Sequence, residues 1–229
     1  MKKIVLFTGA FFCFCASVFA QQQNDVEEMD KTPRINGTLR GKYEYQTGEG
    51  EGRFEVRTAR ISVSGDLTPV VSYKAEIDLC DEGQIKMLDA YTRLQPWKNF
   101  SFTIGQKRVP FTIDAHRSPH QQYFANRSFI AKQVGNVRDV GAEVGYTAHV
   151  GFPIILEAGA FNGSGLTNQK DFWTNNINFS AKMQLLLPVG LNVVLSTQKI
   201  KPDQVDVMMY DAGVTYHQGG FITEVEYLY

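Results

Sequence analysis

The sequence has little cysteine, and what it has is badly placed for disulfides. Three cysteines occur in 229 residues; Cys13 and Cys15 lie within the first 20, and Cys80 is the only one beyond them. A single cysteine cannot form an intramolecular disulfide, which excludes a disulfide-stapled fold after residue 20. That part of the chain must be held together by a packed core or by a continuous sheet.

Long apolar runs are also missing, except at the N-terminus. Lys2 and Lys3 precede an apolar stretch over residues 4–18, and Val18-Phe19-Ala20 has the small residues of a cleavage site. This order predicts a secretory signal peptide over residues 1–20, with a short N-terminal anchor helix as the alternative. Residues 21–33 are polar and acidic, and predict a flexible periplasmic leader. No other stretch is apolar for long enough to form a membrane-spanning helix.

The chain lacks an excess of positive charge. Removal of Lys2 and Lys3 with the signal leaves 21 basic residues against 24 acidic ones. A nucleic-acid-binding domain normally carries a strong basic excess. We therefore predict no nucleic-acid partner.

Arrangements of residues typical of catalysis or metal binding are missing as well. His116 and His120 are four apart in a stretch without helical periodicity, and no third ligand is evident. The Gly163-Ser164-Gly165 segment lacks the lysine and the following helix of a phosphate-binding loop. An outer-membrane hydrolase would need a serine–histidine pair on neighbouring strands, and His217 is the only suitable strand histidine. We predict no enzyme activity, no cofactor, no metal site and no catalytic residue.

What the sequence does have is alternation of apolar and polar residues, which is typical of β-strands. In residues 71–79, one face carries apolar side chains and the other carries Ser72, Lys74, Glu76 and Asp78. Similar segments recur to the end of the chain and predict about eleven strands in one all-β domain over residues 34–229. The predicted strands are 34–45, 54–64, 71–79, 89–94, 100–107, 137–147, 154–161, 177–187, 191–198, 207–216 and 221–229. A change of phase near residues 57–60 predicts a β-bulge.

These strands predict a transmembrane antiparallel β-barrel. The apolar faces are long enough for tilted strands to cross a bilayer. The opposite faces carry charges in nearly every strand, as expected around a water-filled lumen. Short connections alternate with longer ones, and aromatic residues such as Trp97 and Trp173 lie at strand ends. A soluble exported β-protein is the alternative, but it needs a second layer to bury the apolar faces.

Residues 112–135 interrupt the alternation, and we refer to them as the 112–135 loop. They hold His116, Arg117, Arg127 and Lys132 among polar and aromatic residues. Connections of this length without secondary structure are uncommon and are usually functional or disordered.

Several segments, in this order, resemble the family of phosphate-selective porins O and P over about residues 34–229. The resemblance rests on residues 54–61 (FEVRTARI), 88–91 (LDAY), 104–111 (IGQKRVPF), 126–128 (NRS), 137–141 (VRDVG) and 161–165 (FNGSG). It implies a sixteen-stranded outer-membrane porin, with a loop folded into the lumen where the 112–135 loop stands. It also implies a homotrimer in outer-membrane lipid once the barrel is complete.

The number of predicted strands bears on whether these strands make up a complete barrel. Bacterial barrels normally have an even number of strands, so eleven favours the first part of a longer porin. The alternating residues that end at Tyr229 resemble an assembly-signal strand and fit a complete small barrel.

The resemblance and the strand phase together give candidate pore-lining residues. The family pattern implies Arg57, Asp89 and Arg127 at the constriction. Strand phase or proximity to the loop adds Arg60, Arg93, Lys107 and Arg138, and the charged strand faces add Arg40 and Lys74. Thr58 departs from the family, which often has an arginine pair there, and carboxylates alternate with the basic residues.

The expected function is passive diffusion of small hydrophilic solutes or ions across the bacterial outer membrane, including anions such as phosphate. The alternative is a non-conducting exported β-protein that binds a ligand or a surface through its long loops.

Overall fold

Eleven strands between residues 34 and 228 form one antiparallel sheet and are paired in chain order. The computed structural model describes residues 31–81, 84–123, 127–129, 131, 134, 138–166, 172–202 and 205–229. The strands are β1 Arg34–Gln46, β2 Glu51–Thr68, β3 Val71–Asp81, β4 Gln84–Trp97, β5 Phe100–Arg108, β6 Arg138–His149, β7 Pro153–Phe161, β8 Asn178–Leu187, β9 Leu191–Ile200, β10 Val207–Gln218 and β11 Phe221–Leu228. In these ranges, no helix is both long and apolar enough to span a membrane.

The prediction of an all-β fold with eleven antiparallel strands is confirmed. β2 and β4 are longer than predicted, because pairing continues past irregularities in the ladders. The register of β1 with β2 shifts between Arg40 and Gly41, which leaves Arg57 as an extra residue. This is the bulge predicted near residues 57–60. The predicted signal peptide, most of the leader and parts of the 112–135 loop lie outside the described residues.

The sheet is not closed. Among the described residues, β1 pairs only with β2 and β11 pairs only with β10. The arrangement is consistent with the wall of a porin barrel, in which neighbouring strands are antiparallel and joined in sequence. Sixteen strands stay a prediction.

The two faces of the sheet have opposite character. One face exposes large apolar side chains, such as Leu39 (79% exposed) and Phe54 (87%). The other face, which we call the inner face, carries buried polar groups, including Asp89 and Glu143. Apolar side chains outside and polar ones inside suit a lipid-facing wall around a wet lumen, and are the reverse of a soluble fold.

The connection between β5 and β6 folds against the inner face. It contains two short 3₁₀-helices, Asp114–His116 and Pro119–Gln121. Of the eight buried hydrophobic residues in the described ranges, four belong to this connection: Val109, Phe111, Ala115 and Ala131. The apolar core therefore lies between the loop and the sheet.

Glycine on the inner face gives a first testable prediction. A Cβ at Gly141 would lie 2.2 Å from the Ala160 carbonyl oxygen, and the Phe161 ring covers the same spot. Because a backbone oxygen cannot move away cheaply, Gly141→Ala should lower the temperature at which the folded form is lost on a heat-modifiability gel. Gly37→Ala is the matched control, since its Cβ would meet no atom closer than 3.7 Å. Equal melting of the two variants would contradict this packing.

Candidate functional site: the inner face and its loop

Six charged side chains from β2, β3, β4 and β6 form a continuous inner-face ion network. Its members are the cations Arg60, Lys74 and Arg138 and the carboxylates Glu76, Asp78 and Asp89. Arg60 Nε donates to Asp78 Oδ2 over 2.8 Å, and Arg138 Nε donates to Asp89 Oδ1 over 2.7 Å. Lys74 Nζ lies 2.8 Å from Glu76 Oε2 and 2.8 Å from Asp89 Oδ2. Three positive charges thus face three negative ones.

Strand register explains most of this network. Arg60 lies opposite Asp78 in the β2–β3 ladder, and Glu76 lies opposite Asp89 in the β3–β4 ladder. Arg138 is different, because alternation along β6 would group it with outward-facing residues. It is the first residue of β6, and its guanidinium reaches inward to Asp89 and to Glu76 (3.6 Å) with the side chain only 1% exposed.

A second group surrounds Tyr91 on the inner face. The Cζ atom of Arg93 lies 5.6 Å from the centre of the Tyr91 ring, and the Nζ atom of Lys107 lies 6.0 Å from it. Lys107 is ion-paired with Glu143. Arg93 Nε donates to Thr103 Oγ1 over 3.4 Å, and forms no ion pair with any described residue. The charge of Arg93 also acts on the Glu143 carboxylate, but that carboxylate is directly paired with Lys107, so Arg93 is less fully compensated than the paired cations.

Arg40 and Arg57, the remaining candidates on β1 and β2, have different surroundings. Arg40 Nη1 donates to the Pro119 carbonyl oxygen (3.1 Å) and to Gln122 Oε1 (2.7 Å). It thereby ties the 112–135 loop to β1. The side chain of Arg57, at the bulge, forms no hydrogen bond or ion pair with the part of the chain that the structure describes.

Arg127 stabilises the loop's own conformation. Its Nη1 donates to the Asp114 carbonyl oxygen, and its Nη2 donates to the Arg117 carbonyl oxygen over 2.6 Å. The Ser128 backbone N–H donates to Asp114 Oδ2 over 2.9 Å. Burial lowers the pKa of Arg127 from its usual value, and neighbouring arginines add to this effect.

Strands β8 to β11 hold the other side of the loop. The Thr112 N–H donates to Ser196 Oγ over 3.0 Å, and Lys182 Nζ donates to the Thr112 carbonyl oxygen over 3.1 Å. The Ile113 N–H donates to Glu226 Oε1 over 2.6 Å.

The guanidinium of Arg117 binds both carboxylate oxygens of Glu224 on β11, with Nη1 3.1 Å from Oε1. Reasoning from the sequence did not include Arg117, Glu224, Lys182 or Glu226 among the candidates. Strand phase places the three strand residues on the inner face, but it does not show which of them contact the loop.

The comparison with known families agrees with this architecture. A family model described as phosphate-selective porin O and P matches residues 34–216, which is most of the chain. The chain belongs to this family. No curated protein matches it significantly. Membership makes the chain a porin, which is a channel protein of the bacterial outer membrane and not a member of an enzyme family.

Two of the sequence segments that resemble the porin family contact each other. Asp139 of β6 accepts hydrogen bonds from the backbone N–H groups of Gly163 (2.6 Å) and Gly165 (3.2 Å) and from Ser164 Oγ (3.3 Å). Both glycines have a positive φ, which other residues adopt at a cost. The Gly-Ser-Gly turn of this porin is therefore shaped around a carboxylate of its own chain.

The three residues implied by the porin pattern are in separate surroundings. Asp89 belongs to the inner-face ion network, Arg127 binds loop carbonyls, and Arg57 lies at the bulge. No hydrogen bond or ion pair joins any two of them in the described ranges. Their role at a constriction stays a prediction.

The surroundings of His116 predict that docking of the loop depends on pH. Its ring is partly buried between the loop and the sheet, and in the Nε2–H tautomer it donates to the Val109 carbonyl oxygen. Burial lowers the pKa of His116 well below its usual value of about 6.5. A released loop would bind a proton below about pH 6.5 while the docked loop would not, so docking weakens as the pH falls through this range. We expect trypsin to cut after Arg127 faster at pH 5.5 than at pH 7.5, once each rate is divided by the rate at which trypsin cuts an unstructured peptide at the same pH.

The control separates His116 from general acid effects. His116→Gln should remove most of this pH dependence, whereas substitution of the exposed His149 by Gln should leave it unchanged. The same pH dependence in all three proteins would contradict the assignment to His116.

Proposed function

We propose that this porin allows passive diffusion of small hydrophilic solutes across the outer membrane and favours small anions, phosphate among them. The supporting observation is the unequal pairing of charges on the inner face and at the Arg57 bulge of β2. Among the described residues, neither Arg57 nor Arg93 forms an ion pair with a carboxylate, and the charge of Arg93 acts only at longer range on Glu143, which is paired with Lys107. They are therefore the cations most available to a passing anion.

The carboxylates of β10 and β11 near the loop already accept hydrogen bonds from other groups of the chain. Glu226 accepts from the Ile113 N–H, Glu224 binds Arg117, and Asp211 accepts from Ser196 Oγ. A carboxylate that is covered and hydrogen-bonded repels a solute anion less than one that faces open water, because its charge is partly compensated. This supports an anion preference in a chain whose net charge is slightly negative.

The proposed mechanism requires no chemical step. A small anion loses part of its hydration shell in the narrowed lumen, and basic side chains replace the lost water with charge-assisted hydrogen bonds. The binding must be weak enough for release, which suits single guanidinium groups better than a dense cluster. A homotrimer in outer-membrane lipid belongs to the same proposal.

The test is reconstitution of the full-length protein in planar bilayers and liposomes. Discrete, stable current steps, together with swelling of the liposomes in small neutral solutes, would support diffusion through a pore. Absence of both, with β-rich circular dichroism, would contradict the pore and favour an outer-membrane protein that binds through its loops.

A further inference from the structure

We propose that Arg117 and Glu224 form an ion-pair clamp that fixes the 112–135 loop to β11 and thereby positions Arg127. In this role Arg117 is a positioning residue and not a ligand for the passing solute. The inference rests on the proposed function, because the clamp is expected to set the width and the selectivity of the proposed pore.

The geometry of the pair supports a fixed attachment. The guanidinium meets both carboxylate oxygens, which is the bidentate arrangement that gives the strongest and most directional arginine pairs. The side chains are only 13% and 17% exposed. The Arg117 Cζ atom also lies 4.5 Å from the centre of the Tyr123 ring, and Nη1 lies 3.6 Å from Asp114 Oδ1. Little of the guanidinium is left for a solute.

The pair is charged. Burial alone would lower the pKa of Arg117, but the hydrogen bond and the charge of Glu224 outweigh it and raise the pKa. Since both partners are largely withdrawn from water, loss of one charge leaves the other poorly compensated.

The clamp affects the position of Arg127 through the backbone of the loop. Arg127 Nη2 donates to the carbonyl oxygen of Arg117 itself, and its Nη1 donates to the Asp114 carbonyl oxygen. A displacement of the Arg117 backbone therefore moves the acceptors that hold Arg127. The chain of contacts runs from β11 through Arg117 to Arg127.

Other attachments limit what the clamp controls. Residues 112 and 113 have their own bonds to Ser196 and Glu226, so they should stay docked without the clamp. Arg40 of β1 holds Pro119 and Gln122 on the other side. The clamp thus fixes the β11 side of the segment that crosses between the two edge strands.

The test compares Glu224→Gln with Asp206→Asn. The control also removes a carboxylate from an ion pair, but its pair with Lys199 is exposed. Trypsin is added to the folded full-length protein, and cleavage after Arg127 is followed by mass spectrometry. We expect cleavage about tenfold faster in Glu224→Gln, because loss of a part-buried pair shifts local opening by at least that factor. Asp206→Asn should match the wild type.

Two further readouts separate positioning from a direct charge effect. In planar bilayers, Glu224→Gln should show noisier current and a smaller preference between anions and cations. The charge exchange Arg117→Glu with Glu224→Arg should restore both the trypsin resistance and the current. Wild-type trypsin resistance in Glu224→Gln, or a changed selectivity that the exchange does not restore, would overturn the clamp. Absence of current in the wild type would reject the pore proposal alone, because trypsin cleavage tests the clamp independently.

Discussion

Substitution of Asp89 by Asn is expected to destabilise the folded protein by about 3–5 kcal/mol, the range for breaking a buried ion pair by removing one partner. Asp89 is the only residue that contacts both Lys74 and Arg138 within hydrogen-bond distance in the described ranges. Its loss leaves the almost fully buried guanidinium of Arg138 with only Glu76, at 3.6 Å. Urea titration of the folded form, followed by gel mobility, measures the effect.

The control is Asp66→Asn, which breaks the exposed pair of Asp66 with Arg34. Exposed pairs contribute about 0–1 kcal/mol, so the control should unfold close to the wild type. Adding Arg138→Gln to Asp89→Asn should recover part of the loss, since the orphaned charge is removed with it. Equal stability of Asp89→Asn and Asp66→Asn would contradict a buried network.

Replacement of Arg93 by Gln is expected to lower the permeability ratio of anions over cations by about two- to fivefold. A unit charge about 8–15 Å from an ion in water-like surroundings changes its energy by about 0.3–0.5 kcal/mol, with opposite signs for an anion and a cation. The two effects add to about 0.5–1 kcal/mol in the ratio, which corresponds to that factor. Among the described residues, Arg93 hydrogen-bonds only to the Thr103 hydroxyl and lies near the Tyr91 ring. Glu143, on which its charge also acts, keeps its ion pair with Lys107, so removal of Arg93 orphans no carboxylate. Permeability should therefore change while stability does not.

Arg34→Gln is the matched variant for this prediction. It removes one positive charge of the same kind from an exposed end of β1, where Asp66 already compensates it. We expect its reversal potential in a KCl gradient to stay close to that of the wild type. A similar shift in both variants would mean that overall charge, and not the position of Arg93, determines selectivity.

The sequence predicted the sheet well because strand alternation is a local signal. Each inward residue is two positions from the next, so the Arg57 bulge and the phase of Arg93 could be read without knowing the fold. Arg138 is among the candidates that strand phase or proximity to the loop predicts on the pore side. Its inward reach at the start of β6 goes against alternation.

The attachment of the loop could not be predicted in the same way. Arg117 and Glu224 are 107 residues apart, and nothing near either residue indicates the other. Arg127 was assigned from the family pattern, which gives a position and not a partner. Its bonds to two loop carbonyls depend on how the 112–135 loop turns back on itself, which a strand pattern does not encode.

The most direct test of an anion-preferring pore is the zero-current potential of the full-length protein in a planar bilayer under a KCl gradient. We predict a potential whose sign shows that chloride crosses faster than potassium. We also predict that the chloride current falls when phosphate is added. A potential of the opposite sign, with a current indifferent to phosphate, would contradict it.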